Sequence, residues 1–407
     1  MEVIYPRCAG LDVHKKSVVA CVRLAQQDRL LHEVRTFATT TSGLLALADW
    51  LAAHAVQQVA MEATGVYWKP VWHVLESQFE LILANAAHVK NVPGRKTDVN
   101  DATWLADLLA HGLIRASFVP PLAIQQLRVL TRTRKQFVHE RSAHVQRIEK
   151  VLEDANLKLG AVLSDIVGQS GRAVLQAIVA GHSDPELLLT CISVRVKASR
   201  TELLEALRGH ITDHHRFMLK LHLTHIEALE RALATLEQEV GSVLEPFRDA
   251  AQRVSTVPGI SAIAAHVIVA EIGIEMDRFP SPGHLRSWAC LCPRNDESAG
   301  KRRNTRVRRG GRWLKTTLVQ AAWAAVRVKG SYLQAQFHRL RARRGAKKAI
   351  MAVAASMLTA IWYILRNGTE WRELGGWHFE RADAKKSATR LIRRLQQIGY
   401  VVHATPV

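Results

Sequence analysis

The sequence is short of the features that mark secreted, membrane and metal-cage proteins. Five cysteines in 407 residues stand at positions 8, 21, 191, 290 and 292, without a Cys-x-x-Cys pair or a regular framework. That excludes a disulfide scaffold and a structural zinc site and fits a reducing cytosol. The opening residues, MEVIYPRCAG, hold no secretory apolar core. There is no run of 18 apolar residues; the best, Ala349 to Leu365, is too short for a membrane span and reads as a buried helix. No low-complexity segment and no internal repeat is visible. Acidic residues are the other shortage, 36 Asp plus Glu against 56 Lys plus Arg, a net charge of +20. An apolar share of 48% and a charged share of 23% belong to a folded chain. Its length suggests two or three domains.

A charge of this size points to a polyanion, most often nucleic acid, with a membrane surface as the other class. Its distribution is more informative. Residues 1–115 carry 11 basic and 11 acidic side chains, residues 116–293 carry 20 and 19, and residues 349–407 carry 8 and 4. Residues 294–348 carry 17 and 2, so +15 of the excess lies in 55 residues. A general solubility device would be spread evenly; a local phosphate-binding surface is concentrated in this way.

Periodicity organises the chain. Arg7 to Val13, Ser17 to Leu24 and Leu30 to Thr36 read as a meander of short strands. Leu44 to Ala55 has helical spacing, Gln58 to Ala63 is a strand, Val66 to Ser77 a helix, and Glu80 to Asn85 a strand. Asp98 to His111 reads as a helix opened by Thr97-Asp98. This order predicts an α/β sheet of mixed direction. Two long apolar stripes follow. Leu127, Leu130, Phe137, Val145, Ile148 and Leu152 form one over 122–157. Leu219, Leu223, Ile226, Leu229, Leu233, Leu236 and Val240 form the other over 215–245. Two readings stay open for them, a helical hairpin and a coiled coil between subunits. Leu314 to Val326 and Ala346 to Leu365 are further helices. His338-Arg339 to Lys348 is a second basic stretch, read as one helix along RNA or DNA.

Four carboxylates stand out. Asp12 ends the first strand and Glu62 the fourth, where an acid against an apolar run needs a reason. Asp98 and Asp101, three apart at a helix start, share one side of it. If the first and fourth strands are neighbours and the helix crosses them, the four converge. Like charges that close repel unless divalent cations neutralise them, and hard oxygen ligands suit Mg²⁺ or Mn²⁺. Taken singly, Asp98 is a helix cap, Asp101 a favourable first-turn charge and Asp12 a turn residue; Glu62 has the weakest structural alternative.

The segments GLDVHK (10–15), VAMEATGVYW (59–68) and NVPGRKTDVNDATWLADLL (91–109) resemble the RuvC-like domain of the DEDD transposases, insertion-sequence recombinases guided by a bridge RNA. VPGIS (257–261) and the block from Leu285 to Trp323 resemble the C-terminal domain of the same family. The resemblance implies an RNase H-like (RuvC-like) α/β N-terminal domain over 1–120 and a helical, coiled-coil assembly region over 121–250. It further implies a mainly α, serine-bearing transposase domain over 251–345, with C-terminal helices and a tail over 346–407. It places the family's nucleophile on Ser298, in Glu297-Ser298-Ala299-Gly300-Lys301. Glu297 and Ala299 stand where the family often has a second serine and a second glycine. Read from its residues alone, this segment is equally a Ser-Gly loop that touches phosphate.

The implied activity is recombination of a mobile element. Asp12, Glu62, Asp98 and Asp101 would hold Mg²⁺ on the scissile phosphodiester, and Ser298 would attack it to form a covalent phosphoserine. Lys96, Lys301, Arg302, Arg303, Arg306, Arg308, Arg309, Arg312 and Lys315 form the candidate nucleic-acid surface. Trp313 either stacks on a base or belongs to the core. The implied partners are donor and target DNA, a structured guide RNA, and further copies of the chain in a homodimer or homotetramer whose active site is shared between subunits. No membrane is implied; the expected location is the cytoplasm, on a prokaryotic nucleoid. The alternative is a hydrolytic endonuclease of the Holliday-junction-resolvase type, using the tetrad and water. A third class is a non-catalytic nucleic-acid-binding protein.

Overall fold

In the computed structural model, the described residues are 2–26, 29–63, 65–85, 89, 100–293, 296–298, 300–304, 306–308, 310–379 and 384–402. The chain divides into two compact units, Met1–Val119 and Pro120–Val407.

The first unit is built on β1 (Arg7–Val13), β2 (Ser17–Gln26), β3 (Arg29–Ala38), α1 (Thr41–Ala53), β4 (Gln58–Glu62), α2 (Trp68–Leu75), β5 (Glu80–Ala84) and α3 (Asp101–Ala110). The strands lie in the order β3-β2-β1-β4-β5. β1, β2 and β3 pair antiparallel, while β4 runs parallel to both β1 and β5. The expected mixed sheet is therefore found. The alternation of side chains along each strand gives it two faces. Ala9, Leu11, Val13, Val59 and Met61 pack with Leu44, Leu47 and Leu51 of α1 and Val71 and Leu75 of α2. The opposite parity carries small residues: Cys8 and Ala60 meet Leu109 and Ala110 of α3, and Cys21 meets Ala102 and Ala106.

Gly10 belongs to this second face. A Cβ there would lie 2.2 Å from the Ala102 carbonyl oxygen and 2.5 Å from the Ala106 nitrogen. Both are helix backbone and cannot turn aside, so α3 rests directly on the β1 main chain. The Cys8 thiol donates to the Ala106 carbonyl at 3.4 Å, and burial pushes its pKa up to about 12, so it is an inert packing group.

Among the described residues, the second unit is helical apart from one hairpin. Its long elements are α4 (Leu122–Asp154) and α9 (Asp213–Val243), which pack along each other within one chain. Between them in sequence come α5 (Leu159–Val162), α6 (Gln169–Val179), α7 (Pro185–Thr190) and α8 (Arg200–Leu207). Ile148, Leu152, Leu219, Leu223 and Ile226 of the long pair share a core with Val174, Leu175, Ile178, Leu188 and Leu207 of the short helices. Leu130, Phe137, Leu229, Leu233 and Leu236, in the middle of the pair, stay half-buried.

The remainder comprises α10 (Arg248–Ser255), α11 (Ala262–Ile272), α12 (Pro282–Trp288), β6 (Asp296–Ser298), β7 (Lys301–Asn304), α13 (Arg312–Ala325), α14 (Tyr332–Arg344), α15 (Ala346–Asn367) and α16 (Ala384–Gln397). α15 runs five residues before and after the apolar stretch read from sequence combined, and it has the length and composition of a membrane span. Half of that span is buried, with Val353, Ala354, Met357, Leu358 and Ile361 against α10, α12, α13 and α14. The basic stretch 338–348 is not one helix. It is the last two turns of α14 and the start of α15, parted by Gly345 at φ 78°.

A buried ion pair ties α4 to α11. Glu271, only 4% exposed, accepts from Arg132 Nε at 2.7 Å and Nη2 at 2.8 Å. Arg128 caps the end of α11 by donating to the Ala270 and Glu271 carbonyls at 3.1 and 2.7 Å. Burial draws the Arg128 guanidinium down to about 10, against the pull of Glu271.

His144 of α4 and His222 of α9 meet Nδ1 to Nδ1 at 3.2 Å, and the His225 ring lies 4.9 Å from His144. Burial, then Arg147, holds His144 and His222 below the usual imidazole range; Glu140 opposes this at His144.

Two outcomes are expected. Gly10→Ala should cost about 3 kcal/mol, measured by thermal or urea denaturation. The folded His144 and His222 titrate below the unfolded value of about 6.5, so the unfolded chain binds more protons in acid. Stability from this contact should be complete above that value and fall as pH drops below it. Melting temperatures across pH 5 to 8, about the range where imidazole titrates, should show the fall, and His222→Asn should flatten it.

Candidate functional site

β1 and β4 are neighbours, as the convergence of the carboxylates requires. Their register pairs Gly10 with Ala60 and Leu11 with Met61, so the next step along both strands brings Asp12 beside Glu62. Asp12 shares the parity of Cys8 and Gly10, and Glu62 that of Ala60, so both belong to the face covered by α3. That helix runs antiparallel to β1. Its start meets Gly10 through Ala102, whereas its end accepts from the Ile4 and Tyr5 amides at Ala110. Asp101, the first residue of α3, is thus carried to the same rim as the carboxyl ends of β1 and β4. In open sheets this is where ligands bind.

The Asp12 side chain is 18% exposed and stands 3.2 Å from His14 Nε2, a neighbour that the sequence reading did not single out. Glu62 and Asp101 are half-buried. A fourth acid of the region, Asp107, is engaged structurally: Arg23, itself 4% exposed, donates to it at 2.9 Å, and His32 lies at 3.0 Å.

The helix start differs from the sequence expectation. Asn100 is the N-cap, with φ −56° and ψ 139°, and its side chain accepts from the Ala102 amide at 2.9 Å. α3 therefore opens at Asp101, three residues later than expected. Asp98 and Lys96 lie outside the described residues. The donors here are carboxylate oxygens, the chemistry that Mg²⁺ and Mn²⁺ take. Among the described residues no group of three or more His, Cys, Asp and Glu side chains is close enough to hold a metal.

Ser298 lies in a hairpin rather than an irregular loop. β6 and β7 pair antiparallel, with Glu297 opposite Arg302 and Ser298 opposite Lys301. A bridge from Pro293 to Val307 extends the pairing. Gly300, in the turn, has φ +72°, where a side chain is strained. Ser298 and Lys301 thus flank the tip of a strand pair, with Arg302 and Arg303 behind on β7.

Lys301, Arg306, Arg308 and Arg312 are exposed, and Lys315 donates from Nζ to the Arg308 carbonyl at 3.0 Å, tying the basic loop to α13. Arg309 lies outside the described residues. Gly311 precedes α13 at φ 57°, and a Cβ there would stand 2.6 Å from the Ala289 carbonyl oxygen. Trp313 is half-buried, with Arg132 and Lys135 of α4 beside it. Those two cations were not legible in sequence, because basic residues on a long helix usually face solvent.

Comparison with known proteins matches the sequence to two family models. Residues 9–157 match the DEDD family model of IS110 type, described as a transposase. Residues 251–338 match the model described as the transposase IS116/IS110/IS902 family. The transposase for insertion sequence element IS1111A of Coxiella burnetii is 23% identical over 333 residues, 79% of this chain and 81% of that protein.

The cap and the neighbouring acid separate stability from chemistry. Asn100→Ala should cost about 1 kcal/mol, read in a denaturation midpoint. Asp101→Asn should change stability by less than about 0.5 kcal/mol in the same measurement.

Proposed function

This chain belongs to the IS110-type DEDD transposases, and we propose that it cuts and rejoins DNA through a covalent serine intermediate under the direction of a structured RNA. As a transposase it acts on DNA. The observation that supports the finer reading is the backbone register that carries Asp12 and Glu62 to the ends of β1 and β4 on the face covered by α3, whose first residue is Asp101. The strand order β3-β2-β1-β4-β5, antiparallel on one side of β1 and parallel on the other, supports an RNase H-like fold for this unit.

Asp12, Glu62, Asp101 and Asp98 would hold Mg²⁺ or Mn²⁺. When bound, such a cation supplies neutralisation of charge on the scissile phosphate and on the oxygens that enter and leave it. Among the protein's own groups, the Ser298 hydroxyl attacks phosphorus. The new Oγ–P bond replaces the P–O3′ bond, and the serine proton ends on the departing 3′ oxygen. The 5′ phosphate stays on serine until a different 3′ hydroxyl attacks it, reforms a P–O3′ bond and returns the proton to Oγ. No bond energy is lost to hydrolysis, so strands are exchanged and resealed. Lys301, Arg302 and Arg303 lie next to Ser298 on the hairpin, suited to the charge that develops on the phosphoryl oxygens. Lys96, Arg306, Arg308, Arg309, Arg312 and Lys315 hold the backbone.

Guide RNA would supply sequence recognition, leaving the protein to read RNA shape and DNA backbone. Further copies of the chain, in a dimer or tetramer, would complete each active site, with the half-buried seam of α4 and α9 as an assembly element. The domain limits near 120, 250 and 345 and a nucleoid location belong to the same reading.

The test uses protein purified from cells that carry the whole element, with 5′-phosphate-side-labelled DNA and Mg²⁺. RNA should co-purify, and a denaturant-resistant protein–DNA adduct should form. Ser298→Ala should abolish the adduct, and Asp12→Asn or Glu62→Gln should reduce it by about a hundred-fold or more. Cleavage that persists in Ser298→Ala and leaves free 5′ phosphate would overturn the serine mechanism in favour of water as nucleophile.

A further inference from the structure

Trp313 remains unexplained by the recombination chemistry. It stands at the second position of α13, facing α4 across a groove of about 410 Å³, within the size range of small-ligand sites. Lys135 Nζ crosses the groove to donate to Thr316 Oγ at 2.6 Å. Three cations surround the indole: Arg132 and Arg312, each with Cζ 5.6 Å from the ring centroid, and Lys135 with Nζ at 5.8 Å. These distances are near the outer limit of a cation–π contact, so the cations frame the ring rather than cover it.

The charge here is out of balance. Arg132 is satisfied by Glu271. No carboxylate among the described residues pairs with Lys135 or Arg312, and Glu140 is the one acid lining the groove. Burial, then Arg312, draws the Lys135 amine below the usual lysine range, against the pull of Glu271. The same groove borders the start of a helix of 14 residues whose cap, Gly311, contributes no side-chain hydrogen bond and whose first turn holds no acid. Cations at a helix N-terminus oppose the macrodipole, and unpaired amides there favour an anion. Beyond the Glu271 carboxylate that holds Arg132, the cluster leaves room for an anion from outside. A bare phosphate would make no use of the indole. The amides of Gln136 and Gln320, also lining the groove, offer donors and acceptors suited to the edge of a base.

We infer that the groove between α4 and α13 binds one unpaired nucleotide, its base stacked on Trp313 and its phosphate held by Lys135 and Arg312. A base within a duplex keeps its faces covered by its neighbours, so the site selects single strands, loops or extruded nucleotides. The inference rests on the nucleic-acid reading above and adds to it a position and a strand state. RNA and DNA both provide such a nucleotide, and the experiment distinguishes them.

The full chain is mixed with short single-stranded RNA or DNA containing one iodouracil, irradiated, and mapped by peptide mass spectrometry. Affinities are measured for single strands and for the matching duplex. Crosslinking to the peptide that contains Trp313 is expected, and the strand type that crosslinks identifies the source. Trp313→Ala should weaken single-strand binding by about five- to a hundred-fold and leave duplex binding unchanged. Trp313→Phe should restore most of the affinity, and Lys135→Gln, which keeps the ring, should weaken it and lower its salt dependence. Equal loss for single strand and duplex, no loss in a folded Trp313→Ala chain, or crosslinks only elsewhere would overturn the inference and leave the transposase reading standing. A parent chain that binds no nucleic acid would overturn both.

Discussion

The contact between α3 and the backbone of β1 at Gly10 is the constraint on which the first unit depends. A helix normally packs on a sheet through a layer of side chains contributed by both. Here Gly10, Cys8, Cys21 and Ala60 on the sheet, with Ala102 and Ala106 on the helix, remove most of that layer. The close approach fixes the direction and height of α3, and so brings Asp101 to the rim formed by the ends of β1 and β4. Asp12 and Glu62 then need only follow the parity of their strands. The same small residues that stabilise the fold set which end of the sheet the start of α3 reaches.

The second unit solves a different problem, the placement of many cations on a helical frame. Several half-buried cations between the helices are balanced: Arg132 has Glu271, and Arg172 and Arg141 share Glu230. At the start of α13, Arg312 is exposed and no carboxylate among the described residues pairs with it. The paired arginines hold α4 against α9 and α11. Counting charge alone does not make that distinction, because a balanced and an unbalanced arginine contribute equally to +20.

Elements with a strong period were legible in the sequence. The five strands of the sheet and the two long helices start and end within a few residues of their expected limits, because alternation and three-to-four spacing survive any tertiary arrangement. The start of α3 was read three residues early, since Thr-Asp and Asn-Asp are equally good cap signals and only packing on β1 chooses between them. The β6–β7 hairpin was read as a loop, because its arginines carry no apolar alternation. The second basic stretch was read as one helix, because charge periodicity does not register the positive φ at Gly345. For the site, Asp12 and Glu62 stood out as acids in apolar strands, whereas His14 and the Arg132 and Lys135 flank of Trp313 did not.

By itself, then, the sequence determined the secondary elements, the mixed sheet, the concentration of basic charge in 294–348 and the acids that stand against their surroundings. These follow from local spacing and composition, which neighbouring residues impose on one another through the backbone. Tertiary structure alone decided that β1 lies beside β4, that α3 runs antiparallel to β1, that α4 pairs with α9 within one chain, and that Lys135 faces Trp313. Each joins segments far apart along the chain, and such contacts are selected by complementary volume and charge across a packed surface, not by a period that a linear sequence can display.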